Sequence, residues 1–278
     1  MTTLDVALIQ LRTPASQAAA LAQAAPLVRQ AAADGAALIL TPEGTNILQR
    51  DRAKLAPLLR SADDDACVQG LIALAGELKV WLLIGSALVL RDDGRVANRS
   101  MLVNPQGRVA ATYDKMHMFD VDLPTGERAR ESETYTPGAA AVLAQTPWGG
   151  VGLTVCYDIR FPYLYRALAK AGAIALTVPA AFTRPTGEAH WEVLLRARAI
   201  ENGAFVLAPA QGGRHEDGRG TWGRSMAVSP WGEVIAAAQD DEPAVIRASL
   251  DLDAVSRARA AIPVLVNERD FSAPQETP

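Results

Sequence analysis

Val151-Gly152-Leu153-Thr154-Val155-Cys156-Tyr157-Asp158-Ile159-Arg160-Phe161-Pro162 sets an apolar run of strand type, a thiol and a helix-opening proline in immediate succession. A buried strand that ends on a nucleophile and turns at once into a helix is how a layered sheet delivers chemistry to the crevice at its strand tips. A free cysteine is also among the most buried residue types and often serves only as a small apolar side chain. The segment therefore makes Cys156 a candidate nucleophile and makes an α/β fold the first expectation.

The pattern continues on both sides. Leu4 to Leu11 reads as strand, an Ala-rich helix follows, and Ala37 to Thr41 is strand again. Asp63 to Lys79 is helical and Val80 to Leu90 returns to strand, the alternation expected of an α/β protein. Pro26 falls inside the first helix and should kink or split it, because proline lacks the N–H and clashes with the preceding turn. Downstream, a helix over about Phe161 to Ala171 closes at Gly172 and the strand Ile174 to Val178 follows. A helix over about Glu188 to Asn202 stops at Gly203 before the strand Phe205 to Pro209.

Two stretches break the parallel rule. Ser100 to Val103, the turn Asn104-Pro105-Gln106-Gly107 and Arg108 to Tyr113 read as a hairpin, as do Ser225 to Val228, Ser229-Pro230-Trp231-Gly232 and Glu233 to Ala237. Mixed sheets are the consequence. Element spacing is even, without a linker or an internal repeat, so residues 1–271 are expected to form one domain, with 272–278 a polar, Pro-rich tail or an arm over a partner subunit.

Charge and composition exclude several classes. With 27 basic and 31 acidic residues the net charge is -4, so no basic surplus meets a phosphate backbone and nucleic acid is not an expected partner. The start Met1-Thr2-Thr3-Leu4-Asp5 has no basic n-region or apolar h-region, and no apolar run reaches the roughly 18 residues of a membrane span. Cys67 and Cys156 are too few for a disulfide framework, which fits a reducing, cytoplasmic setting. Cys67, following Asp63-Asp64-Asp65, is read as a helix-packing residue.

A thiol of ordinary pKa is only a few per cent thiolate at neutral pH, so Cys156 needs a base or a cation beside it. Three histidines are available. His190 belongs to a helix beside Trp191, His117 suits a supporting position, and His215 sits in a Gly-rich charged loop; none ends a strand. Glu43 and Lys115 do end strands. At the tip of Ala36 to Thr41 the Glu43 carboxylate is expected to be desolvated and raised toward the working range of a base. Beyond Arg108 to Tyr113, the Lys115 cation is placed to hold an oxyanion and to lower the thiol. The three histidines are isolated and no His-x-His or Cys-x-x-Cys spacing occurs, so no metal is expected.

Leu40-Thr41-Pro42-Glu43, Tyr113-Asp114-Lys115-Met116-His117 and Gly152 to Pro162 resemble, in order and spacing, the three signature blocks of the nitrilase superfamily of carbon-nitrogen hydrolases, over about Leu4 to Asp270. That resemblance implies a four-layer α-β-β-α sandwich with mixed sheets that pairs into homodimers or higher homo-oligomers. It makes Glu43 the base, Lys115 the oxyanion stabiliser and Cys156 the nucleophile, and it adds a second glutamate after the lysine block. Glu127, Glu131 and Glu133 compete for that role, and Glu131 is the best match. The expected activity is amide hydrolysis through a Cys156 thioester, with the backbone N–H of Tyr157 helping to hold the oxyanion and no cofactor.

Substrate choice falls to the loops. Arg160 and Thr186 match the carboxylate-binding pair of the Nit subgroup, while a salt bridge to Asp158 and an N-cap are their structural alternatives. Ala189 to Glu201, followed by Ala210-Gln211-Gly212-Gly213-Arg214-His215, resembles the deaminated glutathione amidases of that subgroup. Arg214 and His215 are then candidates to meet the cysteinyl-glycine end of the substrate. The rival outlet is an omega-amidase on α-ketoglutaramate or α-ketosuccinamate, or another amidase or carbamoylase of the superfamily. Gly44-Thr45-Asn46, where an aromatic is commoner in such proteins, is expected to widen or loosen the pocket, and Glu188 replaces a proline.

Overall fold

The computed structural model describes residues 2–123, 126 and 128–274. Two six-stranded sheets lie face to face. The first runs β16 (Ala244–Asp251), β1 (Thr3–Gln10), β2 (Leu38–Leu40), β3 (Trp81–Leu90), β4 (Val96–Val103) and β5 (Val109–Asp114). The second runs β15 (Val234–Ala237), β14 (Met226–Val228), β11 (Phe205–Ala208), β10 (Ala173–Thr177), β9 (Gly149–Leu153) and β8 (Val142–Thr146). In each sheet three central strands are parallel, β1-β2-β3 and β9-β10-β11, and the flanking strands are antiparallel. Both expected hairpins are present, as β4–β5 and β14–β15.

Helices cover the outer faces. Helix α1 (Gln17–Ala33) and α3 (Ala66–Leu78) pack on the first sheet, α4 (Pro162–Lys170) and α5 (Arg184–Asn202) on the second. The result is the four-layer α-β-β-α sandwich. The one-turn helix α2 (Arg52–Leu55) lies between β2 and β3 in the chain, and α6 (Asp253–Ala261) follows β16.

Side-chain alternation explains why the strands read as unbroken apolar runs. Leu4, Val6 and Leu8 of β1, with Leu38, Leu40 and Leu83, enter a core shared with Val151, Leu153 and Leu207 of the second sheet. Ala7, Ile9, Ile39, Leu82 and Ile84 point the other way, into the layer under α1 and α3. Period-2 geometry with both faces buried demands apolar residues at every position.

Three local expectations change. Pro26 neither splits nor ends α1, which runs unbroken for 17 residues. Both Pro26 and Ala22, whose carbonyl loses its partner, are on the water side, where solvent replaces the missing bond. Helix α5 begins at Arg184 with Pro185 in its first turn, earlier than Glu188. The sequence reading assigned nothing to β16, whose alternation of buried and exposed residues over Ile246 to Asp251 marks a strand with one face in the core.

Gly85 of β3 lies tightly against the segments that follow β2 and β10. A Cβ there would overlap the Thr41 carbonyl oxygen and collide with Pro42 and Pro179. Gly85→Ala is expected to destabilise the fold by about 1–3 kcal/mol through overpacking, measurable as a lower denaturant midpoint with an unchanged slope.

Candidate active site

The site lies past the C-terminal ends of β2, β5 and β9. Past β2, Thr41 donates its N–H to Leu83 O (2.9 Å), Thr45 N–H reaches Ser86 O (2.8 Å) and Gly44 N–H reaches the Ser86 hydroxyl (3.0 Å). These bonds extend the strand pairing beyond Leu40 and hold Glu43 in a rigid, buried turn. Asn46 continues the lock, with its side-chain amide bonded to Asp65 (2.8 Å) and Leu88 O (3.0 Å). Gly44-Thr45-Asn46 thus tightens the pocket wall instead of loosening it, since all three are buried and bonded.

Lys115 leaves the end of β5 with its N–H on Asn98 O (2.9 Å) and its carbonyl bonded by Gly138 N–H (2.9 Å). Cys156 stands at φ 49°, in the left-handed region, and opens a single 3-10 turn, Cys156–Arg160. A non-glycine residue there carries strain of about 1–3 kcal/mol and is a mark of functional positions. Cys156 N–H donates to Pro179 O (2.8 Å), tying the turn to the segment after β10.

Behind this turn a buried network joins the lysine and cysteine loops. The Asp158 carboxylate, fully buried, accepts from the Tyr113 hydroxyl (2.7 Å), the Val155 N–H (2.9 Å) and the His117 N–H (3.1 Å), and lies 2.7 Å from His117 Nδ1. His117 stacks on Phe161 at 3.6 Å. It therefore supports the site from outside and makes no dyad with Cys156.

Two carboxylates from separate segments meet on one ammonium. Lys115 Nζ lies 3.0 Å from Glu43 Oε1, 2.8 Å from Glu131 Oε1 and 2.7 Å from Glu131 Oε2. Glu43 Oε1 also accepts from Asn98 Nδ2 (2.8 Å) and Oε2 from the Ala181 N–H (2.9 Å), while Glu131 Oε2 accepts from Phe119 N–H (2.6 Å). The small hairpin β6 (Asp120–Asp122) and β7 (Arg128–Arg130) swings Glu131 back to the lysine. Glu133 instead pairs at the surface with Arg52, and Glu127 lies outside the described residues.

Charges settle in a definite pattern. Burial by itself would raise Glu43, but the Lys115 ammonium and hydrogen bonds from Cys156, Lys115 and Asn98 outweigh it and hold the carboxyl below its ordinary value. That reverses the expected upward shift. Burial and then Glu43 push the Cys156 thiol well up; Lys115 pulls it down as expected but does not offset them. Glu131 is raised, chiefly by burial. Lys115 is held charged well above its ordinary range: burial opposes this, and the two glutamates outweigh burial. The resting site is thus a thiol beside a carboxylate, with an ammonium between two acids. Cys67, pushed up to about 12 by burial and Asp65, lies at the start of α3 and packs there, as expected.

Glu43, Lys115, Glu131 and Cys156 all line one cavity of about 340 Å³. Tyr157 and Thr186 line it too. Thr186 is not the N-cap of α5, since Thr183 occupies that position and its hydroxyl is 2.9 Å from that of Thr186. Arg160 stands behind the wall, over the rings of Tyr157 (5.8 Å) and Phe182 (5.5 Å), and makes no ion pair with Asp158. Arg214 and His215 do not line the cavity: Arg214 is exposed, and His215 is buried between Thr13 O (3.2 Å) and the Thr221 hydroxyl (2.7 Å). Among the described residues no three His, Cys, Asp or Glu side chains are grouped as a metal would require.

The sequence reading passed over Asn98, which grips Glu43 through its side chain and Lys115 through its backbone. Its Oδ1 is buried with no hydrogen-bond partner among the described residues. The available signal was a polar Asn98-Arg99-Ser100 inside an apolar strand. Arg50 and Arg219, which also line the cavity, carried none, because isolated loop arginines are usually solvated.

Comparison with known proteins gives a family and a fold. The carbon-nitrogen hydrolase family model matches residues 5–260. The chain is 40% identical over 272 residues to the deaminated glutathione amidase of Yersinia enterocolitica, covering 97% of this chain and 94% of that protein. It is 41% identical over 250 residues to the deaminated glutathione amidase of Homo sapiens, covering 88% and 76%. Among solved structures, Saccharomyces cerevisiae Nit3, a member of branch 10 of the nitrilase superfamily, superposes with a TM-score of 0.85 at 28% identity over 95% of each chain.

Proposed function

This chain belongs to the carbon-nitrogen hydrolase family and is an amidase, and we propose that it cleaves deaminated glutathione with Cys156 as nucleophile. The observation that carries the reading is the convergence of Cys156, Glu43 and the Lys115–Glu131 pair on one cavity.

In this mechanism the Glu43 carboxylate accepts the thiol proton as sulfur bonds to the amide carbonyl carbon, and the carbonyl π pair moves onto oxygen. Burial and Glu43 raise the thiol, which keeps the proton on sulfur at rest and leaves Glu43 to accept it. The oxyanion is held by Lys115 Nζ and the backbone N–H of Tyr157. Collapse breaks the carbon–nitrogen bond, and the amine leaves with the proton from Glu43, giving a thioester. Glu43 then takes a proton from water as its oxygen attacks the thioester carbonyl, and sulfur leaves to recover that proton. Glu131 fixes the lysine geometrically and balances its charge. Thr186, in the cavity lining, holds the carboxylate of the acyl half, and Arg160 backs that wall from behind the rings of Tyr157 and Phe182.

Deaminated glutathione and α-ketoglutaramate carry the same acyl half, a 2-oxoglutaryl group, and so form the same thioester. They differ only in the departing amine, cysteinylglycine against ammonia. Initial rates of 2-oxoglutarate release from the two therefore isolate amine-side recognition. The higher kcat/KM is expected on deaminated glutathione; preference for α-ketoglutaramate would assign the protein as an omega-amidase.

Residues 1–271 are taken as one hydrolase domain, supported by a core that runs continuously between the sheets. A cytoplasmic homodimer is the proposed working form. Exposed Tyr163 on α4 and Val193 and Ile200 on α5 give the outer helices an apolar face to pair through, with light scattering as the check.

A further inference from the structure

The mouth of the catalytic cavity is rich in arginine, and most of that charge is answered locally. Arg52 pairs with Glu133, and Arg128 and Arg130 both pair with Asp122. Arg50 and Arg219 are different. Both line the cavity, yet among the described residues a single carboxylate, Asp217, stands behind them. Asp217 Oδ2 accepts from the Arg50 backbone N–H (2.9 Å) and from Arg219 Nε (3.0 Å), and Oδ1 accepts from the Arg219 backbone N–H (3.0 Å).

Three consequences follow from those bonds. First, the Asp217 side chain is 1% exposed and its carboxyl is held below the ordinary value, because the Arg219 charge and the backbone donors outweigh burial. It is a permanent anchor and not a competitor for ligand. Second, Nε alone of the Arg219 guanidinium is engaged; among the described residues its terminal Nη groups carry no hydrogen bond, and Arg50 has no salt-bridge partner. Third, the Arg50 guanidinium lies against the turn at Gly218, beside the loop that carries Arg219. Two loops distant in sequence thus present two guanidinium groups to one cavity.

The platform is rigid. The hairpin of β12 (Gly212–Arg214) and β13 (Gly220–Trp222) carries Arg219 at its turn; His215 ties it to Thr13 O and bonds Thr221 within it. Thr186, which takes the acyl-side carboxylate in the proposed reading, comes from α5, a different element.

The geometry points to Arg50 and Arg219 as a second carboxylate-binding subsite, one that recognises the amine half of the substrate. The enzyme then selects amides whose departing amine ends in a carboxylate, as a dipeptide does. Guanidinium pairs suit a planar carboxylate through parallel charge-assisted bonds. This rests on the amidase reading for its orientation, since the amine half is what leaves.

The test uses two compounds with one acyl half: deaminated glutathione and its C-terminal glycinamide, in which the terminal carboxylate is capped. Wild-type protein should favour the free acid by roughly 10- to 100-fold in kcat/KM, mostly through KM. Arg219→Gln and Arg50→Gln should collapse that ratio toward one, chiefly by raising KM for the free acid. Calorimetric titration of Cys156→Ala with and without Arg219→Gln, using the same two compounds, reads binding independently of turnover. Equal affinity of Cys156→Ala for the acid and the glycinamide, or a preference that survives both arginine changes, overturns the subsite. Selective, Arg219-dependent binding without turnover of either compound would uphold the subsite and sink the amidase reading of this substrate instead.

Discussion

Cys156→Ala should abolish hydrolysis of deaminated glutathione, lowering kcat by roughly 10⁴-fold or more, while the protein remains folded. Removal of the sulfur eliminates the thioester and leaves only water and the oxyanion donors. The structural cost is small because the side chain shrinks by one atom and the backbone bond from Cys156 to Pro179 remains. Alanine must still take the left-handed φ of 49°, a strain the cysteine already bears. Mass spectrometry of a quenched reaction should find an acyl adduct on the wild-type protein at Cys156 and none on the variant. Turnover by Cys156→Ala near the wild-type rate would rule out covalent catalysis.

Lys115→Met should damage both stability and activity. Methionine keeps the length of the chain but removes the charge that pairs Glu43 and Glu131, both strongly buried. Breaking such a pair from one side typically costs about 3–5 kcal/mol, because the remaining charge is left in a poor solvent. Loss of an oxyanion donor costs about 10²–10³ in kcat besides. The pH dependence carries a sign. Without the ammonium, burial dominates and both carboxyls rise above their unfolded values, so the folded variant binds more protons than the unfolded chain. Its stability then falls as pH rises through those raised values, and the gap to wild type narrows in acid. Lys115→Met/Glu131→Gln should recover part of the stability and none of the activity. An unchanged melting temperature in Lys115→Met would show that the three-way contact carries no energetic weight.

Much of this was legible in the chain. Apolar runs ending at Thr41 and Val155, helices closed by Gly172 and Gly203, and turn residues at Asn104 to Gly107 and Ser229 to Gly232 mark strands, helices and hairpins by local stereochemistry. The Pro26 expectation failed because the rule for proline ignores which side of the helix faces water. Helix α5 started early because Pro185 is at home in a first turn.

Residue types and local periodicity determined the α/β layering, the strand-tip positions of Glu43, Lys115 and Cys156, and the chemistry those groups can perform together. These are short-range properties, set by what each residue does to its own backbone and by which faces must be dry. Only the tertiary structure decided the charge states: Glu43 low and Cys156 high, since each depends on the balance between burial and a partner 72 or more positions away in the chain, as for Lys115 and Glu43. It also replaced Arg214 and His215 by Arg219 and Arg50 at the cavity. Which loop side chain faces a cavity is set by long-range contacts such as Asp217 to Arg50, 167 residues apart, and one-dimensional pattern holds no record of those.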